Sequence, residues 1–154
     1  MTILPCPVSL PLMRLALMER VQYIAVHCSA TRPTANIGAA DIDTMHRARK
    51  FACIGYHYVI RRSGAVEKGR PERNAGAHVE GYNSKALGIC LVGGIDCQGK
   101  AQNNFTPAQL DALRQLLAEL KTRYPQAIVQ GHRDFPNVAK DCPCFDVRAW
   151  LQTP

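Results

Sequence analysis

Residues 86–93, ALGICLVG, form an unbroken apolar run that ends at Gly93-Gly94. A strand in a two-sided environment alternates apolar and polar residues, and this one does not. It predicts a strand buried on both faces, in the middle of a sheet covered by helices on either side. The 154 residues suffice for one domain with one core and are too few for two.

Shorter patterns fit around that strand. In VQYIAVHCS, residues 21–29, alternation sets Tyr23, Ala25 and His27 on one face and Ile24, Val26 and Cys28 on the other. Residues 39–51 read as a helix with Ile42, Met45, Ala48 and Ala52 inward and Arg47, Arg49 and Lys50 outward, ended by Gly55. Residues 56–61 read as a strand, with a partner at 65–68 across a turn at Ser63-Gly64. Tyr56 and His57 then face opposite ways, so only one of them serves a given site. Thr106-Pro107-Ala108-Gln109 is a helix start, with Thr as cap, Pro at the first position and Gln closing a capping box. Leu110, Leu113, Leu116, Leu117 and Leu120 make its core stripe, and Pro125 stops it. Ala127 to Gln130 is a short strand, and Asp146 to Leu151 a closing helix with the single Trp150. Residues 1–20 read as an N-terminal extension with a short helix from Pro11 to Glu19. Arg14 and Arg20 follow its apolar part, which is not the order of an export signal. The expectation is an α/β (mixed α+β) fold, a single domain whose central mixed sheet of about five strands is flanked by helices. Residues 21–154 make up that domain.

Chemistry concentrates at 131–145, GHRDFPNVAKDCPCF, which holds His132, Lys140, Cys142 and Cys144. Imidazole and thiolate are zinc ligands, and a lysine beside them adds a movable positive charge. Pro136 and Pro143 keep this stretch a loop. His and Cys ten residues apart match no structural zinc pattern, and a lone His such as His27 at a strand end is more often a hydrogen-bonding residue. Residues 70–85 are a long irregular stretch in which His78 and Asn83 are candidates for lining a cleft. Seven cysteines at irregular spacing are no disulfide framework; Cys28 and Cys90, in apolar runs, read as buried. A net charge of +7 favours an acidic partner, but the positives are scattered and no nucleic-acid motif occurs. No apolar run reaches membrane-spanning length.

VHCSATRP at 26–33, IGYHYVI at 54–60, GAHVEGYNSKALGICLVGG at 76–94, NFTPAQ at 104–109, GHRDF at 131–135 and KDCPCFD at 140–146 resemble the zinc-dependent N-acetylmuramoyl-L-alanine amidases. These share a fold with the peptidoglycan recognition proteins. The resemblance spans Tyr23 to Trp150 and is nearest to the bacteriophage type. It implies one Zn2+ per chain on His27, His132 and Cys142, with Tyr56 and Lys140 as catalytic residues. It implies that His78, Tyr82 and Asn83 line the substrate groove. Muropeptide-recycling relatives carry Asp as third ligand and Glu in place of the Tyr, and this chain has neither. The implied reaction is hydrolysis of the amide between N-acetylmuramic acid and L-alanine in peptidoglycan by a monomer held in the cytoplasm before release to the wall. The resemblance also brings a second protein partner into view, such as a phage RNA polymerase. Three features depart from it. Cys144 stands where Ser or Gly is expected, the loop from His132 to Cys142 is somewhat long, and Met45 replaces a Trp.

Two other readings compete. A recognition protein of the same fold binds wall peptides without cutting them, but lacks the full ligand set that Cys142 completes. A cysteine hydrolase would need Cys28 beside His27, and adjacent strand residues point to opposite faces.

Overall fold

The computed structural model describes residues 1–154. One six-stranded sheet runs through it: β1 (Ile3–Leu4), β2 (Tyr23–Cys28), β3 (Tyr58–Ile60), β4 (Val66–Lys68), β5 (Ala86–Leu91) and β6 (Ile128–Gly131). The strand order is β1-β4-β3-β5-β2-β6. Only the β3–β4 hairpin is antiparallel. The helices are α1 (Ala39–Ala48), α2 (Pro107–Arg123) and α3 (Val147–Leu151). The sheet is mixed and flanked by helices, as the sequence predicts, with β1 as an added edge strand.

β5 lies between two parallel partners, and all six of its residues are buried. Register pairs Ile24 with Leu87 and Val26 with Ile89. These side chains meet Leu113, Leu116, Leu117 and Leu120 of α2 in the main core. Each buried leucine there contributes roughly 1.5–3 kcal/mol relative to exposure. The other face carries Ala25, His27, Gly88 and Cys90. It is covered by α1, through Ala39 and Ile42, and by the irregular stretch after β4, through Val79.

The capping box of α2 forms as expected: Gln109 N–H donates to Thr106 Oγ1 at 3.1 Å and Thr106 N–H to Gln109 Oε1 at 3.0 Å. Gln109 also donates to the carbonyls of Ile60 and Val92, so one side chain caps the helix and ties it to the sheet.

The structure corrects three expectations. α1 ends at Ala48, and its inner face is Ala39, Ile42, Asp43 and His46, leaving Met45 41% exposed. Asp43 Oδ1 accepts from Ile54 N–H and His46 Nδ1 from Gly55 N–H. These polar residues face inward because a buried backbone segment needs their acceptors. No helix forms over Pro11 to Glu19. A 3-10 turn covers Leu12–Arg14, and beyond it Met18 N–H donates to Arg73 O while Ala75 N–H donates to Ala16 O. The backbone groups that a helix would satisfy internally go to the neighbouring stretch. The third strand begins at Tyr58 rather than at residue 56. No helix is long and apolar enough to cross a membrane.

Candidate metal centre

β2 and β6 are parallel neighbours, with Val26 opposite Gly131. The residue that follows each of these is a histidine, so the pairing itself brings His27 and His132 together. Their ring centroids lie 4.5 Å apart. His132 opens a 3-10 turn, His132–Asp134, inside the stretch expected to be wholly loop. Arg133 N–H donates to Cys142 O at 2.9 Å, folding the loop back over the strand ends. That approach needs a glycine: a Cβ on Gly131 would lie 2.8 Å from Pro143 Cδ. Cys28 N–H then donates to Cys142 Sγ at 3.2 Å.

Ligand atoms of His27, His132 and Cys142 all lie within 4.8 Å of one another, close enough to share one metal ion. His27 is 1% exposed, while His132 and Cys142 are half-buried, so the cluster has a closed back and an open front. Two imidazoles and one thiol suit zinc, and three protein ligands with an open side fit a catalytic rather than a structural site. Burial lowers the pKa of His27 well below the usual range, helped by His78, His132 and the positive charge of Lys140. Burial, then Lys140, does the same to His132. Both imidazoles are thereby kept neutral, as ligands must be.

Tyr56 stands against the cluster, its ring centroid 5.1 Å from that of His27. Burial and nearby thiols raise its pKa well above the ordinary value, so it remains a phenol with a proton to donate. Lys140 is exposed at the rim. His78 lies behind His27, with His78 Nδ1 2.8 Å from His27 Nε2 and His78 Nε2 3.0 Å from Ala86 O. Asn83 Oδ1 accepts from the backbone N–H groups of His78 and Val79, both at 2.8 Å. Tyr82 packs edge-on against Tyr23 and Phe135.

Cys144 points elsewhere. Its thiol donates to Gly94 O at 3.2 Å and lies 3.9 Å from Cys28 Sγ. Burial pushes its pKa up to about 12. Cys28 sits in the main core, on the face opposite His27. The hydrogen bond with Cys142, then burial, pushes its pKa far above the ordinary range. A thiol held neutral and turned away from the imidazole is no nucleophile, which removes the cysteine-hydrolase reading.

His46 escaped the sequence reading as a neighbour of the site. Its ring packs against Tyr56 at 5.3 Å between centroids and against Phe51 at 5.0 Å. The available signal was its place three and four residues from Asp43 and Ile42, on one helix face.

Residues 17–145 match the family of N-acetylmuramoyl-L-alanine amidases. The endolysin of Klebsiella phage KP32 is 47% identical over 134 residues, 87% of this chain and 87% of that protein. The endolysin of Escherichia phage T7 is 44% identical over 143 residues, 88% of this chain and 93% of that protein. Among solved structures, the N-acetylmuramoyl-L-alanine amidase LysC from Clostridium intestinale URNW superposes with a TM-score of 0.82 at 26% identity, covering 100% of this chain and 99% of that one.

Proposed function

The chain belongs to the N-acetylmuramoyl-L-alanine amidase family, and we propose that it does that family's work with one zinc ion held by His27, His132 and Cys142. It is a peptidoglycan amidase of the endolysin kind. The observation that carries the metal reading is the convergence of the three ligand atoms within 4.8 Å at the open end of the parallel strands.

Zinc, when bound, supplies Lewis acidity and lowers the pKa of water to about 7, making a nucleophile available at neutral pH. The bond broken is the amide between the lactyl carbonyl of N-acetylmuramic acid and the amino group of L-alanine. The chain's own residues do the rest. Lys140, exposed at the rim, brings an ammonium to the carbonyl oxygen as negative charge develops there. Tyr56, a phenol beside His27, donates a hydrogen bond that orients the substrate carbonyl or the attacking water. The closed back of the cluster keeps water from His27, and Lys140 reaches the site from its open front. The unit is a monomer that accumulates in the cytoplasm and meets its substrate once the wall becomes accessible.

A binding module of the same fold is the second reading, and the complete ligand set argues against it. Elemental analysis of purified protein beside a wall-clearing assay tests the proposal. One zinc per chain, with clearing lost on chelation and restored by zinc, is expected. Clearing that persists in fully metal-free protein refutes it.

A further inference from the structure

We propose that His78 is a positioning residue for the metal centre: its imidazole accepts the Nε2–H of His27 and locks His27 in the tautomer whose Nδ1 lone pair faces Cys142. The inference rests on the zinc reading above.

Proton placement follows from the partners. Ala86 O can only accept, so the His78 nitrogen 3.0 Å from it, Nε2, carries the hydrogen. The ring packs edge-on against two further imidazoles, His27 and His57, a setting that favours a neutral ring with this single hydrogen. His78 Nδ1 is therefore a bare lone pair. The 2.8 Å contact to His27 Nε2 then has one possible polarity, with His27 donating. A neutral His27 that donates from Nε2 has its own lone pair on Nδ1, the atom 4.0 Å from Cys142 Sγ.

Three separate features hold His78 in place. Gly88 lies in the interior of β5, where a glycine weakens a strand. A Cβ there would stand 2.8 Å from His78 Cγ and Nδ1, so the strand gives up a side chain to admit the ring. A Cβ on Gly76 would meet His78 Cδ2 at 2.5 Å. Asn83 Oδ1 fixes the backbone of His78 and Val79. A groove-lining residue needs none of this. A partner that must meet one nitrogen of His27 at hydrogen-bond distance needs all of it.

The test joins zinc affinity to a tautomer measurement on the unmodified protein. Chelator competition gives zinc dissociation constants for wild type, His78→Phe and His78→Asn. Phe keeps a ring without an acceptor, whereas Asn sets an acceptor oxygen close to the place of Nδ1. His78→Phe is expected to bind zinc about 10–100-fold more weakly, with His78→Asn recovering to within about fivefold of wild type. Long-range 15N–1H spectra of metal-free wild type are expected to show hydrogen on Nε2 of both His27 and His78. A His27 protonated on Nδ1 overturns the proposal. So does a folded His78→Phe that binds zinc as tightly as wild type, or equal weakening in both variants. If His78→Phe does not fold, the wild-type spectrum decides alone. Wild type that binds no zinc refutes the metal reading instead, and the spectrum still decides the role of His78.

Discussion

The backbone N–H of Cys28 donates to the Sγ of Cys142 at 3.2 Å. The strand that carries His27 therefore also aims the thiol that completes the cluster, and two candidate ligands far apart in sequence are set by one backbone segment. A backbone N–H aimed at the sulfur fixes where that thiol sits. Cys144, two residues on, turns away to Gly94 O.

The two thiols should separate cleanly on substitution. Cys142→Ala is expected to lose most of its zinc at equimolar metal, and Cys144→Ser to keep both zinc and activity. Elemental analysis after gel filtration reads the difference. The reverse pattern would reassign the third ligand to Cys144.

Lys140→Ala and Tyr56→Phe test the two groups proposed to act on the substrate without holding metal. Each should lower turnover by about 10²–10³-fold, the usual cost of one oxyanion-type donor. Zinc content and wall binding should be unchanged. Amino groups released from purified walls, counted at equal zinc occupancy, provide the rate. Near-normal rates in both variants would leave the metal without these assistants.

Acid should weaken the metal-free fold as its buried histidines take up protons. Burial holds the pKa of His57 down at about 4, and burial with Arg49 and Arg70 brings His46 to about 4 as well. The unfolded chain binds protons at about 6.5. Both groups are depressed, so their contribution is complete above pH 6.5 and is lost as pH falls toward 4. His57, 1% exposed, accounts for up to about 3 kcal/mol of that loss. Urea midpoints of chelator-treated protein should fall steadily across this window. A midpoint flat from pH 6.5 to 4.5 would contradict the buried neutral state.

Leu116→Ala should cost about 2–5 kcal/mol, because the site is fully buried between α2 and the sheet. Met45→Ala should stay within about 0.5 kcal/mol. Thermal or urea denaturation compares the two. A large loss at Met45 would mean that the exposed face of α1 is covered in solution.

That contrast shows which parts of the fold the sequence makes legible. α2 and β5 announce themselves because their signals are local: a capping box, a leucine stripe, an unbroken apolar run. α1 misleads because its inward face is chosen by distant backbone. Asp43 and His46 turn in to satisfy Ile54 and Gly55, and hydrophobic spacing cannot register such a demand. The pairing of residues 16–18 with 73–75 rests mainly on backbone hydrogen bonds, joined by Asn74 Nδ2 donating to Ala16 O, and no hydrophobic pattern registers it. At the site, resemblance supplies the three candidate ligands, and β2–β6 register explains why two of them meet. His78 stands in a recognisable motif, yet its direction depends on Ala86 and Gly88, which the folded sheet sets beside its ring.

The most direct test of the account is the identity of the bond broken. Purified peptidoglycan digested by the zinc-loaded protein should yield new amino termini that are L-alanine, with no increase in reducing sugar ends. Labelling the free amino groups before acid hydrolysis, alongside a reducing-sugar assay on the same digest, measures both. New L-alanine termini alone are the predicted result. New reducing ends, amino termini from any other residue, or no new termini from zinc-loaded protein would contradict it.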